Sequence, residues 1–490
     1  MKTTKFLWAL LPAAAVLLMT ACGGDDTNDV TPTPTPNPVT PETENVVKSL
    51  PYSVTVNTGD VTRTSVDDDN VTLRFEADDK LYVQSDDGKV YGCLTLISGE
   101  GERSALFGGT LTFTEGKPAA DTPFTATLVG KENLLVTTAS DKVTAVSYPG
   151  TVCASMNDAV SKYSLIRGTG TYGTAAFTLY QETAFLKFSV TLEDGTSNNN
   201  DVSVVINSDG STIGSGTVKA KGSQQFIDIT ADFVLPLAND TEIAGDASMW
   251  VGSVGTEADE SITFGTGSTV TLKGNKVYPV TRTKDFVRLW AGGPVWSTRN
   301  LGAASVTDYG NYYAWGETKG YVRSAGHDFG WSSYTLCNGS QTTLTKYNNN
   351  SSYGTVDKKT KFADYNYEDD AARVALGEPW CMPTTDKFTA LLVKTNTTNE
   401  LTTVSGVKGK TFTGNTTNYT GKAIFLPATG LFQGSSLINQ DTGCYWSSSL
   451  YTESGRDSRY ADVLNFTSSG AETVSFLRCY GRCIRPVRTN

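Results

Sequence analysis

Val71-Thr72-Leu73-Arg74-Phe75-Glu76-Ala77-Asp78-Asp79-Lys80-Leu81-Tyr82-Val83-Gln84 is the stretch that decides the fold. Val71, Leu73 and Phe75 alternate with polar residues, an acidic turn interrupts them, and a second short run starts at Lys80. A period of two with polar alternates puts one face of a strand on a core and the other in water. The same pattern recurs at Tyr52, Val54 and Val56, at Leu94–Ile97, at Leu111–Phe113 and at Phe124–Leu128, with Asp, Asn or Gly turns between. Short strands at this spacing, with no helical pattern between them, predict a β-sandwich over residues 46–160.

Residues 161–283 continue in the same character. Phe185–Leu192, Val202–Ile206, Phe226–Ile229, Met249–Val254 and Val270–Leu272 read as strands, and Val277-Tyr278-Pro279-Val280-Thr281 closes the series. Three elements, Val61-Thr62-Arg63-Thr64-Ser65, the run Leu73 to Val83, and Gly274-Asn275-Lys276-Val277-Tyr278, resemble the fimbrillin family of Bacteroidales. That resemblance implies two tandem β-sandwich modules in a surface fimbria, with other fimbrillin subunits as partners joined by β-strand donation. Lys48 and Arg63, flanking the first strand, are the basic positions at which a trypsin-like protease would act to free an acceptor groove.

From residue 284 to 490 the composition changes. Trp290, Trp296, Trp315, Trp331, Trp380 and Trp446 fall here, and alternation gives way to Gly-, Asn- and Tyr-rich loops. Helices are predicted at Asp369–Leu376 and Thr385–Val393, the second capped by Thr384 and carrying Phe388, Leu391 and Leu392 on one face. Six motifs follow one another: Val295 to Ala303, Tyr309 to Thr318, Trp380-Cys381-Met382-Pro383-Thr384, Leu426-Pro427-Ala428-Thr429-Gly430, Tyr445-Trp446-Ser447-Ser448-Ser449 and Arg482-Cys483-Ile484-Arg485-Pro486-Val487. In this order they resemble the Fibrobacter-type major paralogous domain, related to DUF1566 proteins, which implies an α+β, C-type-lectin-like domain. Cys381, Cys444 and Cys483 depart from that pattern, so no disulfide pairing carries over.

The leader, residues 1–21, has Lys2 and Lys5 before the apolar run Phe6–Leu18, which is too short to span a bilayer. Met19-Thr20-Ala21-Cys22 resembles a bacterial lipobox, which implies acylation of Cys22 and an outer-membrane lipid anchor. A cleaved signal with an incidental cysteine is the alternative. Gly23-Gly24-Asp25-Asp26 is similar to the surface-export signal of Bacteroidetes lipoproteins, and Pro32, Pro34, Pro36, Pro38 and Pro41 make residues 22–45 an extended spacer.

Other chemistry is weakly supported. The chain of 490 residues has a net charge of -11, which makes nucleic acid and anionic headgroups poor partners. Gly168, Gly170 and Gly173 match a dinucleotide fingerprint, but residues 175–190 read as strand where that site needs a helix. His327 is the sole histidine and has no nucleophile motif beside it, so no catalytic residue and no cofactor is assigned. Asp67-Asp68-Asp69 and the acids of Asp364–Asp370 read as solvated turns, the alternative being Ca²⁺ ligands. No metal site is assigned. Seven cysteines besides Cys22 leave at least one unpaired or intermolecular; Cys479 and Cys483 suggest different partners, with zinc as the alternative.

Most aromatics of the last region belong to its core. Trp331, Tyr334 and Tyr460, beside Arg456, Asp457 and Arg459, are the candidates for stacking on a glycan or docking a protein ligand. The combined reading is a non-enzymatic, surface-exposed fimbrial adhesin. A folded C-terminal module in place of a free donor strand suits a tip or accessory subunit. A stand-alone glycan-binding lipoprotein for nutrient capture is the alternative. Cys22→Ser is expected to release the protein from the membrane, and unchanged detergent-phase partitioning of that variant would contradict the anchor.

Overall fold

The computed structural model describes residues 48–59, 74–256, 258, 260–451 and 457–488. The leader, Cys22, Arg63, Val71, Leu73, the Asp67–Asp69 cluster and Arg456 lie outside them. The protein is mainly β.

Five strands come first: β1 (Lys48–Thr58), β2 (Lys80–Ser85), β3 (Val90–Ser98), β4 (Ser104–Phe113) and β5 (Pro123–Val129). A hairpin, β6 (Val136–Ala139) and β7 (Lys142–Val146), and a helix, α1 (Met156–Tyr163), precede β8 (Ile166–Thr171) and β9 (Ala176–Gln181). Seven of these strands form one sheet in the order β1-β4-β3-β2-β5-β8-β9, closed into a barrel because β9 also pairs with β1. Alternation fills its interior with Val54, Val56, Leu81, Val83, Phe107, Leu111, Phe124, Leu128, Phe177 and Leu179. The barrel takes its last two strands from residues 166–181, beyond residue 160, since closure needs β9 against β1.

The glycines of the apparent fingerprint lie on β8 and its turn into β9. A Cβ at Gly168 would sit 2.2 Å from the Thr178 carbonyl oxygen, so these glycines permit close strand contact. Helix α1 was not read from sequence, although its signals are present. Ser155 caps the Asp158 N–H, Asp158 pairs with Lys162, and Met156, Ala159, Val160 and Tyr163 are buried.

A second set of strands follows: β10 (Thr183–Leu192), β11 (Asp201–Ser208), β12 (Ser211–Lys221), β13 (Thr230–Ala238), β14 (Glu242–Ile243), β15 (Ser248–Ser253), β16 (Ile262–Thr263), β17 (Val270–Thr271) and β18 (Val277–Lys284). Seven of them order as β16-β15-β11-β12-β13-β10-β18, with β18 parallel to β10. The expected strand Phe226–Ile229 is a turn, with Phe226 and Asp228 at φ 68° and 56°. The strand is β13 just beyond, paired to β10 from Thr183↔Ala238 to Thr191↔Thr230. Pro236 disguises it, because proline in a sequence argues against an inner strand, whereas Asp232 keeps the alternation as a half-exposed residue.

From residue 286 the sheets are small. Strands β19 (Phe286–Arg288), β20 (Val295–Ser297), β21 (Trp380–Cys381) and β30 (Val487–Arg488) form one sheet in the order β19-β20-β30-β21. Strands β22 (Thr397–Val404), β23 (Val407–Gly414) and β24 (Ala423–Pro427) form a second, β25 (Leu431–Gln433) and β26 (Ser436–Ile438) a hairpin, and β27 (Gly443–Leu450), β28 (Tyr460–Phe466) and β29 (Ala471–Leu477) a third sheet. Helices α2 (Ala371–Leu376) and α3 (Thr385–Leu392) lie at the expected places, capped by Asp370 and Thr384. Among the described residues no helix is long and apolar enough to cross a membrane.

The second and third sets of strands meet at a buried ionic junction. Lys284 Nζ, fully buried at the end of β18, donates to Asp194 Oδ2 at 2.9 Å and to the Val251 carbonyl at 2.7 Å. The neighbouring Glu193 carboxylate receives Thr298 Oγ1 at 2.9 Å and the Arg299 guanidinium. The Asp194 carbonyl accepts the Ala423 N–H at 2.9 Å, and Phe226 packs on Phe425.

Burial alone would raise the Asp194 carboxyl, but Lys284 and Thr196 outweigh it and hold it below the ordinary aspartate value. Its contribution to stability is therefore complete above about pH 4 and lost as pH falls through the depressed folded value. Lys284→Met is expected to cost about 3–5 kcal/mol, by stranding a buried carboxylate. Chemical denaturation at pH 7 and pH 3 should show that deficit shrinking at the lower pH; equal deficits would contradict the role given to the pair.

Candidate ligand-binding surface

The tryptophan motifs hold the long loops of residues 286–488 by inserting rings that carry a polar handle. Trp315 and Trp446 are fully buried; their indole N–H groups donate to the Ser447 and Tyr313 carbonyls at 2.9 and 2.8 Å. Tyr312 and Tyr445 hydroxyls donate to the Thr429 and Pro427 carbonyls at 2.6 and 2.7 Å. Three buried arginines complete the frame: Arg482 and Arg485 belong to the sixth quoted motif, and Arg478 lies outside it. Arg485 binds Asn300 Oδ1 and the Ser297 and Phe425 carbonyls, Arg478 binds the Lys346 and Tyr347 carbonyls, and Arg482 lies over Trp446 and Phe476.

The candidate ligand residues are divided by this frame. Tyr334 is only 3% exposed and its hydroxyl donates to the Trp315 carbonyl at 2.7 Å, so it is a core residue and not a stacking surface. Trp331 is half-buried and packs edge-on against it. Asp457, Arg459 and Tyr460 do come together at the start of β28. Arg459 grips both Asp457 carboxylate oxygens at 2.8 and 2.7 Å, reaches Gln341 Oε1 at 2.7 Å, and lies 4.3 Å from the Tyr353 ring centroid. Tyr353 and Gln341 were missed because they come from loops more than a hundred residues away in sequence. Burial raises the Asp457 carboxyl, but Arg459 and the Tyr353 hydroxyl prevail and keep it below its ordinary range.

The other residues weighed from sequence have structural roles. His327 stacks on Tyr321 with ring centroids 3.6 Å apart. Asp364 accepts the Thr360 and Lys361 N–H groups, Asp369 binds Lys346 and the Tyr347 hydroxyl, and Asp370 accepts the Arg373 and Met382 N–H groups. The seven cysteines from Cys93 to Cys483 carry free thiols; Cys337 donates to the Trp331 and Tyr334 carbonyls and Cys444 accepts from Arg482.

A cleft of about 460 Å³ opens where two of the quoted motifs meet, between α2, the start of α3 and the end of β27. The Ser448 N–H donates to the Pro383 carbonyl at 2.7 Å and the Thr385 N–H to Ser449 Oγ at 3.1 Å. Thr385 Oγ1 in turn donates to Asp462 Oδ2 at 2.8 Å, so the walls are fixed from behind. Burial raises the Asp370 carboxyl although backbone N–H groups oppose it. The volume falls within the roughly 300–1,000 Å³ common for small-ligand sites.

No family model matches the chain, and no curated protein matches it. Several solved structures are similar to about half of it. A fimbrial assembly protein from Parabacteroides distasonis is 12% identical, with 51% of this chain and 95% of that chain covered and a TM-score of 0.24. The fimbrial anchor protein Mfa2 from Porphyromonas gingivalis is 15% identical over 42% of this chain and 78% of its own, with a TM-score of 0.23. The tip fimbrial protein Mfa3 from the same organism is 9% identical over 48% and 94%, also with a TM-score of 0.23.

Trp446→Ala is expected to destabilise the protein by about 3–5 kcal/mol, as for a fully buried ring. Tyr460→Ala, at a half-buried position, should cost distinctly less. Denaturant melts of both variants would test this, and similar losses would mean that the half-buried ring is as structural as the buried one.

Proposed function

We propose that this chain is a lipid-anchored cell-surface adhesin subunit of a fimbria, displayed on the outer membrane, whose residues 284–490 bind a glycan or protein ligand. The division into three modules belongs to this reading, with the first boundary moved from residue 160 to the end of β9 at Gln181, the second at residues 283–284, and a C-type-lectin-like nature for residues 284–490. The observation that carries it is β1. This strand pairs antiparallel with β4 from Lys48↔Phe113 to Asn57↔Ser104, and parallel with β9 from Thr55↔Ala176 to Thr58↔Leu179. It buries Val54 and Val56 between them.

Removing β1 would leave β4 and β9 with unpaired backbone groups beside an apolar groove, a state that a strand from another subunit would relieve. The fimbrillin-like motifs around it support this mode of assembly. A tip or accessory position is supported by β30, which is committed between β20 and β21 and not left unpaired.

The register also distinguishes the two basic positions. Lys48 is the first residue of β1, so a cut after it leaves the strand in place; Arg63 follows the last residue, Thr58, in sequence, so a cut there severs β1 from the barrel. Cleavage after Arg63 should therefore allow exchange of β1 for an added strand peptide, whereas Arg63→Ala should resist both. Mass spectrometry of protein taken from assembled fimbriae tests this: an N-terminus still at Cys22 in a chain carrying a partner strand would overturn the mechanism.

A further inference from the structure

The cleft between α2, α3 and β27 carries a charge unlike that of the chain around it. Lys361, Arg373 and Lys387 line it, in a protein of net charge -11. Of the two acids there, Asp370 is only 1% exposed and directs both oxygens at backbone N–H groups, which leaves Asp386 as the exposed one. Lys361 and Lys387 form no ion pair among the described residues.

Arg373 is held ready for a planar anion. Its guanidinium lies 4.0 Å from the Tyr367 ring centroid and pairs with Glu378, whose side chain is 79% exposed. A surface pair of this kind contributes only about 0–1 kcal/mol, so an incoming carboxylate can displace Glu378 and take a two-pronged contact. Thr384 and Ser449 already accept backbone N–H groups, from Lys387 and Thr385, which leaves their O–H groups free to donate. Walls of hydroxyls and cations suit a hydrophilic ligand better than an apolar one.

We propose that this cleft binds a saccharide bearing a carboxylate, with Arg373, Lys361 and Lys387 receiving the acid and Thr384, Ser448 and Ser449 meeting the sugar hydroxyls. The assignment rests on residues 284–490 being the ligand-binding part, and it specifies the ligand class. The strength of the contact falls with salt, because both lysines act from the cleft rim.

The test is calorimetric titration of the full chain with a tetramer of galacturonate, a neutral galactose tetramer and a sulfated galactose tetramer. The galacturonate tetramer should bind best. Lys361→Ala and Lys387→Ala should each weaken it by roughly tenfold, the loss of one charge-assisted contact, while Lys408→Ala on an exposed loop-side strand leaves it unchanged. Equal affinity for the neutral tetramer, preference for the sulfated one, or binding that survives both lysine changes would overturn the site, even where cell attachment still requires residues 284–490. Attachment that requires only residues 46–283 would overturn both the site and the reading beneath it.

Discussion

The pairing of Lys284 with Asp194 is the constraint around which the second and third groups of strands are arranged. A lysine and an aspartate taken almost wholly out of water are unfavourable unless each finds its partner, and each partner sits at the end of a different strand. Strand β18 must therefore stop where β10 has just turned, and residues 286–297 must leave in the one direction that brings Thr298 and Arg299 to Glu193. A hydrophobic contact would tolerate sliding between these surfaces. The two acid–base contacts do not, so any ligand bound by the third group is held at a fixed orientation to the second.

The two halves of the protein are stabilised in different ways. Up to residue 284, long ladders satisfy the backbone and alternation fills the interior. After residue 286 the ladders are short, and the loops between them carry many backbone groups that no strand can satisfy. Side chains take over that task. Tryptophan and tyrosine bring a large apolar area with a single donor, and the arginines bring up to five donors each, so a few residues anchor several loops at once.

Much of the first half was legible in the sequence because alternation is a local signal. Strands β2, β3, β5, β10, β11 and β15 all follow their apolar alternates. Strand β13 was not legible, since Pro236 argues against an inner strand and its inner position is set by pairing with β10 and β12. Closure of the barrel was hidden for a similar reason: the β1–β9 contact joins residues more than a hundred apart. In the candidate site, the cluster of Asp457, Arg459 and Tyr460 could be read because the three are neighbours in the chain. Tyr334 could not be placed, because an aromatic in a polar loop looks the same in sequence whether its hydroxyl meets solvent or the Trp315 carbonyl. The cleft was visible only as two separate motifs whose meeting depends on the Ser448 and Thr385 hydrogen bonds.

The position of β30 between β20 and β21 bears on how the chain is made. Val487 and Arg488 supply the inner strand of a sheet whose other members were synthesised up to two hundred residues earlier, and Arg478, Arg482 and Arg485 close the frame just before it. Residues 286–477 thus emerge from the ribosome before the segment that closes their core, so their folding cannot be completed strand by strand as synthesis proceeds. A chain cut short before residue 478 would lack the three buried arginines and the inner strand together, leaving an open apolar surface within reach of proteases.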